Sequence, residues 1–294
     1  MGVVGESGSV AVRRLGMRCA FAGETHVLHV YDWGPVAARR TALCIHGFLG
    51  NGREYDPLAR ALAGRGWRVL CPDLAGHGLS TRRRDASEYG GALYRSDLQR
   101  LIDRLEIPDL AVVGSSFGAV LALRLAIGGA APVRRLVLND AGPVATAAAL
   151  DRVLELAPRE ARYPDQASAE AALLRYWSER DTLPPAELRA ALAVSMVRRG
   201  EHWFLLHDPR LVRTFARIRR RDHDQIEKWA ALACPTMVIH GERSLMLPPP
   251  VARRMSGLRP DTRVLTVPEC GHRPWLRTPD QIAAVVAWLE DGGD

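Results

Sequence analysis

Seven short apolar runs punctuate this chain of 294 residues, at 26–33 (HVLHVYDW), 41–46 (TALCIH), 67–73 (WRVLCPD), 110–115 (LAVVGS), 134–140 (RRLVLND), 235–241 (PTMVIHG) and 262–268 (TRVLTVP). Several stay apolar at consecutive positions instead of alternating, as strands covered on both faces must. Helical patterns at 53–65, 91–106, 117–128 and 279–290 lie between them. Strand and helix in this alternation build an α/β fold, a mostly parallel central sheet flanked by helices. The rhythm fails once. From 143 to 230 only amphipathic segments occur: ATAAALDRVLELA, SAEAALLRYWSER, PAELRAALAVSMVRR and the stretch around DPRLVRTFARIRRR. The pattern predicts a core made of 1–142 and 231–294, with 143–230 inserted between two strands as a helical lid.

A chain that is 47% hydrophobic and 25% charged can bury one large core with a smaller lobe inserted into it. No apolar run approaches the ~20 residues of a membrane span. The start, MGVVGESGSVAVRRLGMRCAF, lacks the sustained apolar stretch of a secretory signal. A cytoplasmic protein with no membrane partner is expected. Cys19, Cys44, Cys71, Cys234 and Cys270 are scattered, which points to reduced thiols and away from a disulfide framework or a zinc site. The formal charge of +7 comes almost wholly from arginine, with Lys228 the only lysine, and in alanine-rich company this fits GC-rich coding better than a selected polycation. The densest basic run, RIRRRDHDQIEK (217–228), is interrupted by Asp222, Asp224 and Glu227, so it reads as a solvated helix face and no nucleic-acid partner is expected.

The chemistry concentrates in VVGSSFGA (112–119), where Gly114, Ser116 and Gly118 form G-x-S-x-G between the end of a buried strand and an Ala/Leu-rich helix. Such a turn is tight, so the serine's neighbours must be small, and the strained backbone presents the hydroxyl. The helix start aimed at the same spot favours a developing negative charge. Gly/Ser turns between strand and helix are common on other grounds, and context decides. CIHGFLGN (44–51) is a strand running into His46-Gly47-Phe48. CPDLAGHGLS (71–80) matches PD-x-x-G-H-G-x-S. VPECGHRPWLRTPDQI (267–282) is a last strand, a turn with Gly271-His272, and a closing helix. Together these motifs resemble the α/β-hydrolase superfamily, of the serine-nucleophile, helical-lid type, over nearly the whole chain.

The resemblance implies Ser116 as nucleophile, His272 as general base, and an oxyanion hole made by the backbone N–H groups of Phe48 and Phe117, with His46, Asp73 and His77 shaping loops. It implies no cofactor and no metal, and the sequence has no Walker A motif, no G-x-G-x-x-G after a strand and no metal-ligand cluster. The acid is the open point. In the family it usually follows the strand written here PTMVIHG, but the turn reads ERSLML, with Leu245 where an aspartate is sought. A second family position, at the end of the preceding strand, holds Asp140 in LVLNDAGP. Asp140 is the expected acid, although an aspartate there can also simply cap the turn; Glu242 and no acid at all are the alternatives.

The implied reaction is hydrolysis of a small or medium apolar ester, thioester or lactone through an acyl-enzyme. Trp275 is the expected pocket wall, with Trp177, Trp203, Met196 and Phe204 as lid contributors to the pocket or to the lid's own core. Alternatives are a C–C bond hydrolase, a lyase or cyclase without net hydrolysis, which the missing acid at 245 would favour, and a ligand-binding pseudoenzyme, against which Ser116 and His272 argue. A serine at the elbow disfavours dehalogenase and epoxide-hydrolase chemistry, which uses aspartate. The partner is a small-molecule substrate, and the chain is expected to be a monomer or homodimer.

Overall fold

The computed structural model describes residues 11–177, 183–218 and 223–291. In the strand Leu110–Ser115, Leu110 and Val112 enter one apolar cluster while Ala111 and Val113 enter another, the period of two that places a strand between two layers. The helices Gly91–Arg104 and Phe117–Gly128 cover the first face, and Asp56–Ala63 with Pro279–Glu290 cover the second. The sheet has eight strands in the order Val12–Phe21, Glu24–Trp33, Arg68–Asp73, Thr41–Ile45, Leu110–Ser115, Val133–Asn139, Thr236–Gly241, Arg263–Val267. From Arg68–Asp73 onward every pairing is parallel; Glu24–Trp33 runs antiparallel to both its neighbours.

The outermost strand, Val12–Phe21, was not among the expected ones. It pairs with Glu24–Trp33 through a tight turn at Ala22-Gly23 and buries only Met17 and Cys19, leaving Arg14 and Arg18 on or near the surface, so its apolar signal is thin. No helix among the described residues is long and apolar enough to cross a membrane.

Between Val133–Asn139 and Thr236–Gly241 the chain leaves the sheet. The two ends of this excursion are pinned together by the pairing of Val144–Ala145 with His223–Asp224. Helices Ala147–Leu156, Gln166–Tyr176, Pro185–Ala193 and Arg210–Ile218 lie within it. It is not purely helical, however. Arg162–Tyr163, His202–Leu205 and Met196–Arg199 form a three-stranded antiparallel sheet, its hairpin closed by Gly200-Glu201 with Gly200 at φ 60°. The segment PAELRAALAVSMVRR therefore changes from helix to strand after Ala193. The end of SAEAALLRYWSER and residues 219–222 of the basic run lie outside the described residues. The excursion has its own small core of Leu173, Trp177, Leu192, Met196 and Leu205, and Trp275 joins it from the main body.

Candidate active site

Five adjacent parallel strands, from Thr41–Ile45 to Arg263–Val267, deliver the site at their carboxyl ends, where loops from neighbouring strands converge. Ser116 follows Leu110–Ser115 directly and caps the helix Phe117–Gly128 with φ 51° and ψ −115°, a left-handed conformation uncommon for a residue with a Cβ. Its N–H donates to Asn139 O of the next strand at 2.8 Å, holding the turn in place. The flanking glycines are obligatory on steric grounds: a Cβ on Gly114 would lie 2.4 Å from Gly118 O, and one on Gly118 would lie 2.0 Å from Ile45 O.

Ser116 Oγ lies 2.8 Å from His272 Nε2, and His272 Nδ1 lies 2.7 Å from Asp140 Oδ2. An ionised carboxylate only accepts, so Nδ1 carries the proton and Nε2 is left to accept from the serine hydroxyl. Asp140, at φ 52° just past Val133–Asn139 and 1% exposed, is itself held on three sides. Its N–H donates to Ile239 O at 2.7 Å, its Oδ1 accepts from Gly241 N–H at 2.8 Å, and its Oδ2 accepts from Ser244 Oγ at 2.6 Å. Glu242, the alternative acid, is exposed and accepts from Glu269 N–H at 2.9 Å, away from His272. Leu245 is 65% exposed and lines the cavity that Ser116 and His272 also line, but its apolar side chain offers the imidazole no acceptor. The residue of the ERSLML turn that meets the carboxylate is Ser244, which also accepts from Met246 N–H and Leu247 N–H. Sequence reasoning passed over it, because one hydroxyl in a polar turn carries no distinguishing signal.

Phe117, as the first residue of its helix, has no intrahelical acceptor for its N–H, and Phe48 N–H donates to no backbone carbonyl among the described residues. Two cavities meet at Ser116. The larger, about 260 Å³, also touches Gly47, Tyr55, Asn139, His272, Arg273 and Trp275, and from the excursion Ala149, Arg152, Val153 and Tyr176. Tyr176 O–H donates to Phe48 O at 2.8 Å, tying the excursion to the loop after Thr41–Ile45. The smaller, about 70 Å³, is apolar and walled by Phe48, Phe117, Val120, Leu154 and Phe215. Trp275 is at the cavity. Trp177 and Trp203 are not: Trp177 is buried edge-on against Trp275 with ring centroids 5.0 Å apart, and Trp203 packs on the same cluster. A segment this small must spend its large aromatics on its own core.

With this geometry, comparison with known proteins is decisive for the family. A family model described as alpha/beta hydrolase fold matches residues 43–275. The chain belongs to the α/β-hydrolase family. It is similar to the 3-hydroxybutyrate-oligomer hydrolase of Cupriavidus necator, 30% identical over 280 residues that cover 92% of this chain and 95% of that protein. It also resembles the sn-1-specific diacylglycerol lipase ABHD11 of Mus musculus, at 28% identity over 83% of this chain and 79% of that one. Among solved structures, an alpha/beta hydrolase from Novosphingobium aromaticivorans superposes with a TM-score of 0.83 at 27% identity, covering 97% and 99% of the two chains. Family and relatives make this chain an esterase-type hydrolase.

The remaining polar residues of this α/β-hydrolase's motifs hold loops. His46 Nε2 accepts from Leu74 N–H at 3.0 Å while its Nδ1 donates to Gly47 O, and Asp73 accepts from the N–H groups of Gly52 and Leu79. Burial, above all else, drives His46 down to about 4 and His77 and His207 to about 3, all below the ordinary 6.5. These histidines stabilise the fold fully above pH 6.5, and that contribution is lost as pH falls towards their folded values. Asp73 is pushed up by burial to about 6, so its contribution has the opposite sign and is lost as pH rises from its ordinary value of 3.8. Between pH 6 and 4, unfolding should therefore take up more protons at these histidines than it releases from Asp73, and stability should fall as the pH falls. Urea titrations at pH 6, 5 and 4 measure this slope, and a flat profile would refute it.

Among the described residues one group could in principle hold a metal: Cys19, His26 and Asp97, all buried, with ligand atoms within 4.8 Å of one another. Both imidazole nitrogens are already engaged, Nε2 by Asp97 at 2.8 Å and Nδ1 by the Arg83 guanidinium at 3.0 Å. Burial and then the Asp97 charge push the Cys19 thiol up to about 12. A guanidinium in contact and a firmly protonated thiol suit a closed polar network, not a cation site.

Proposed function

We propose that this enzyme is a serine esterase that cleaves small to medium, mainly apolar carboxylic esters, thioesters or lactones through an acyl-enzyme on Ser116. The observation that carries the reading is the chain of contacts Ser116 Oγ to His272 Nε2 at 2.8 Å and His272 Nδ1 to Asp140 Oδ2 at 2.7 Å. As Oγ attacks the ester carbonyl, His272 takes its proton and Asp140 stabilises the resulting imidazolium. The N–H groups of Phe48 and Phe117 receive the oxyanion. The alcohol leaves with the proton from His272. Water, deprotonated by the same imidazole, then attacks the acyl-Ser116 ester, releasing a carboxylic acid and restoring the serine.

In this reading residues 143–230 act as a lid, supported by the side chains of Ala149, Arg152, Val153 and Tyr176 at the cavity. The 3-hydroxybutyrate units named for the Cupriavidus necator relative are short enough to fit a small apolar space beside Ser116. The lyase or cyclase alternative leaned on a missing carboxylate at 245, and with Asp140 against His272 it lacks that support. A fluorophosphonate probe should label the wild type and leave Ser116→Ala unlabelled. 4-Nitrophenyl butyrate should be cleaved about tenfold or more faster than the palmitate, since the small apolar cavity beside Ser116 cannot hold the long acyl chain, whose further methylenes gain none of the ~0.8 kcal/mol that burial of each would bring. Absence of labelling together with absence of turnover on every acyl length overturns the proposal.

A further inference from the structure

The larger cavity carries more positive charge than an apolar ester calls for. Arg152, Arg243 and Arg273 line it, and Glu54 is its one acidic lining residue among those described. Arg152 and Arg243 are half or more exposed, and their partners Glu155 and Glu269 are more exposed still, 67% and 79%. Pairs of that kind are solvated and weak, so both cations remain effective at the cavity rim.

Arg273 is different in kind. It follows His272 directly and is 19% exposed, with Nη2 donating to Glu54 Oε1 at 2.7 Å. Its guanidinium carbon lies 4.1 Å from the Trp275 ring centroid and 5.0 Å from that of Trp177, two rings set at 88° to each other. Ion pair and aromatic walls together immobilise the planar group before any ligand arrives. Nε is buried without a partner, and Nη1 takes no partner among the described residues. An arginine fixed in this way, with donors to spare beside the Ser116–His272 pair, is built to receive a planar anion.

We propose that Arg273, assisted at the rim by Arg152 and Arg243, binds a carboxylate on the substrate, so that the preferred substrates are short esters bearing a free carboxylate, such as linear hydroxy-acid oligoesters. This rests on the serine-esterase reading and narrows it. The apolar cavity behind Phe48 and Phe117 takes the aliphatic end, and the arginine end sets which ester bond lies over Ser116.

The test compares the linear dimer of 3-hydroxybutyrate as free acid with its carboxamide, a neutral group of nearly the same shape. The acid should be preferred about tenfold or more in kcat/KM, mainly through KM, because hydrogen bonds to charged groups are worth more than neutral ones. Added salt should shrink the preference. Arg273→Gln should abolish it, and Arg273→Lys should retain part. Glu54→Gln should raise it, since a competing carboxylate is removed from the same guanidinium. A merely structural ion pair would instead make Arg273→Gln and Glu54→Gln impair acid and amide alike. Calorimetric binding of both dimers to Ser116→Ala reads the subsite without chemistry. Tighter binding of the acid there supports the carboxylate site even where turnover fails and the esterase mechanism falls. Equal affinities, or a preference that survives Arg273→Gln, overturn it.

Discussion

Replacing Ser116 by alanine is expected to lower kcat on 4-nitrophenyl butyrate by about 10⁶-fold, the scale seen when the nucleophile of a serine-histidine pair is removed. The fold should be unaffected. The strain at φ 51° belongs to any residue with a Cβ and is the same for alanine. The hydroxyl's hydrogen-bond partner is His272 Nε2, on a half-buried imidazole at the cavity, so its loss strands no buried polar group. The melting temperature should accordingly stay within a few degrees of wild type. Measuring kcat and melting temperature on the same preparation separates the two effects. Turnover that survives the substitution eliminates Ser116 as the nucleophile, and collapse of the fold would mean that the elbow geometry has been misjudged.

How much of this was legible in the residues alone depended on how each one signals. Gly114, Ser116 and Gly118 could be read because steric demand in a tight elbow leaves a pattern, and the contacts of a Cβ with Gly118 O and Ile45 O are its cause. The interior strands could be read because two buried faces require unbroken apolar runs. The edge strand Val12–Phe21 could not, since four-fifths of its side chains are exposed or only half-buried. Nor could the hairpin Met196–Leu205, whose four-residue strands, rich in arginine and aromatics, look like the tail of the preceding helix. Tryptophan types foretell burial without saying against what, and so Trp275 reached the cavity while Trp177 and Trp203 filled the excursion's own core. Ser244 and Arg273 were invisible for a related reason. Their significance lies in what they touch across more than 100 residues of chain, Asp140 for one and Glu54 for the other.

Asp140→Asn is expected to cost about a thousandfold or more in kcat, because an amide at that position can present a donor to His272 Nδ1 and stabilise the wrong tautomer, a change worth about 10⁴ in a well-studied serine protease. Glu242→Gln should cost little, as its carboxylate is exposed and bonded to Glu269 N–H. Ser244 makes a sharper test possible. Its hydroxyl, 2.6 Å from Asp140 Oδ2, donates to the same oxygen that accepts from His272. Ser244→Ala should therefore lower kcat by roughly tenfold, the size of one lost hydrogen bond to a charged group. In the Asp140→Asn background, Ser244→Asp places a carboxylate on the turn that already reaches this pair, and should recover at least part of the loss. Leu245→Asp in the same background should recover nothing, because a carboxylate at this 65% exposed position stays solvated, whereas Ser244 is buried against Asp140. Rescue from 245 and not from 244 would show that the turn adopts a different register in solution. Full activity in Asp140→Asn would mean that His272 works without an acid. The combination expected here, a deep loss at 140 and partial recovery from 244 alone, has a physical basis: the imidazole requires a carboxylate on Nδ1, and these two loop ends are close enough to supply one.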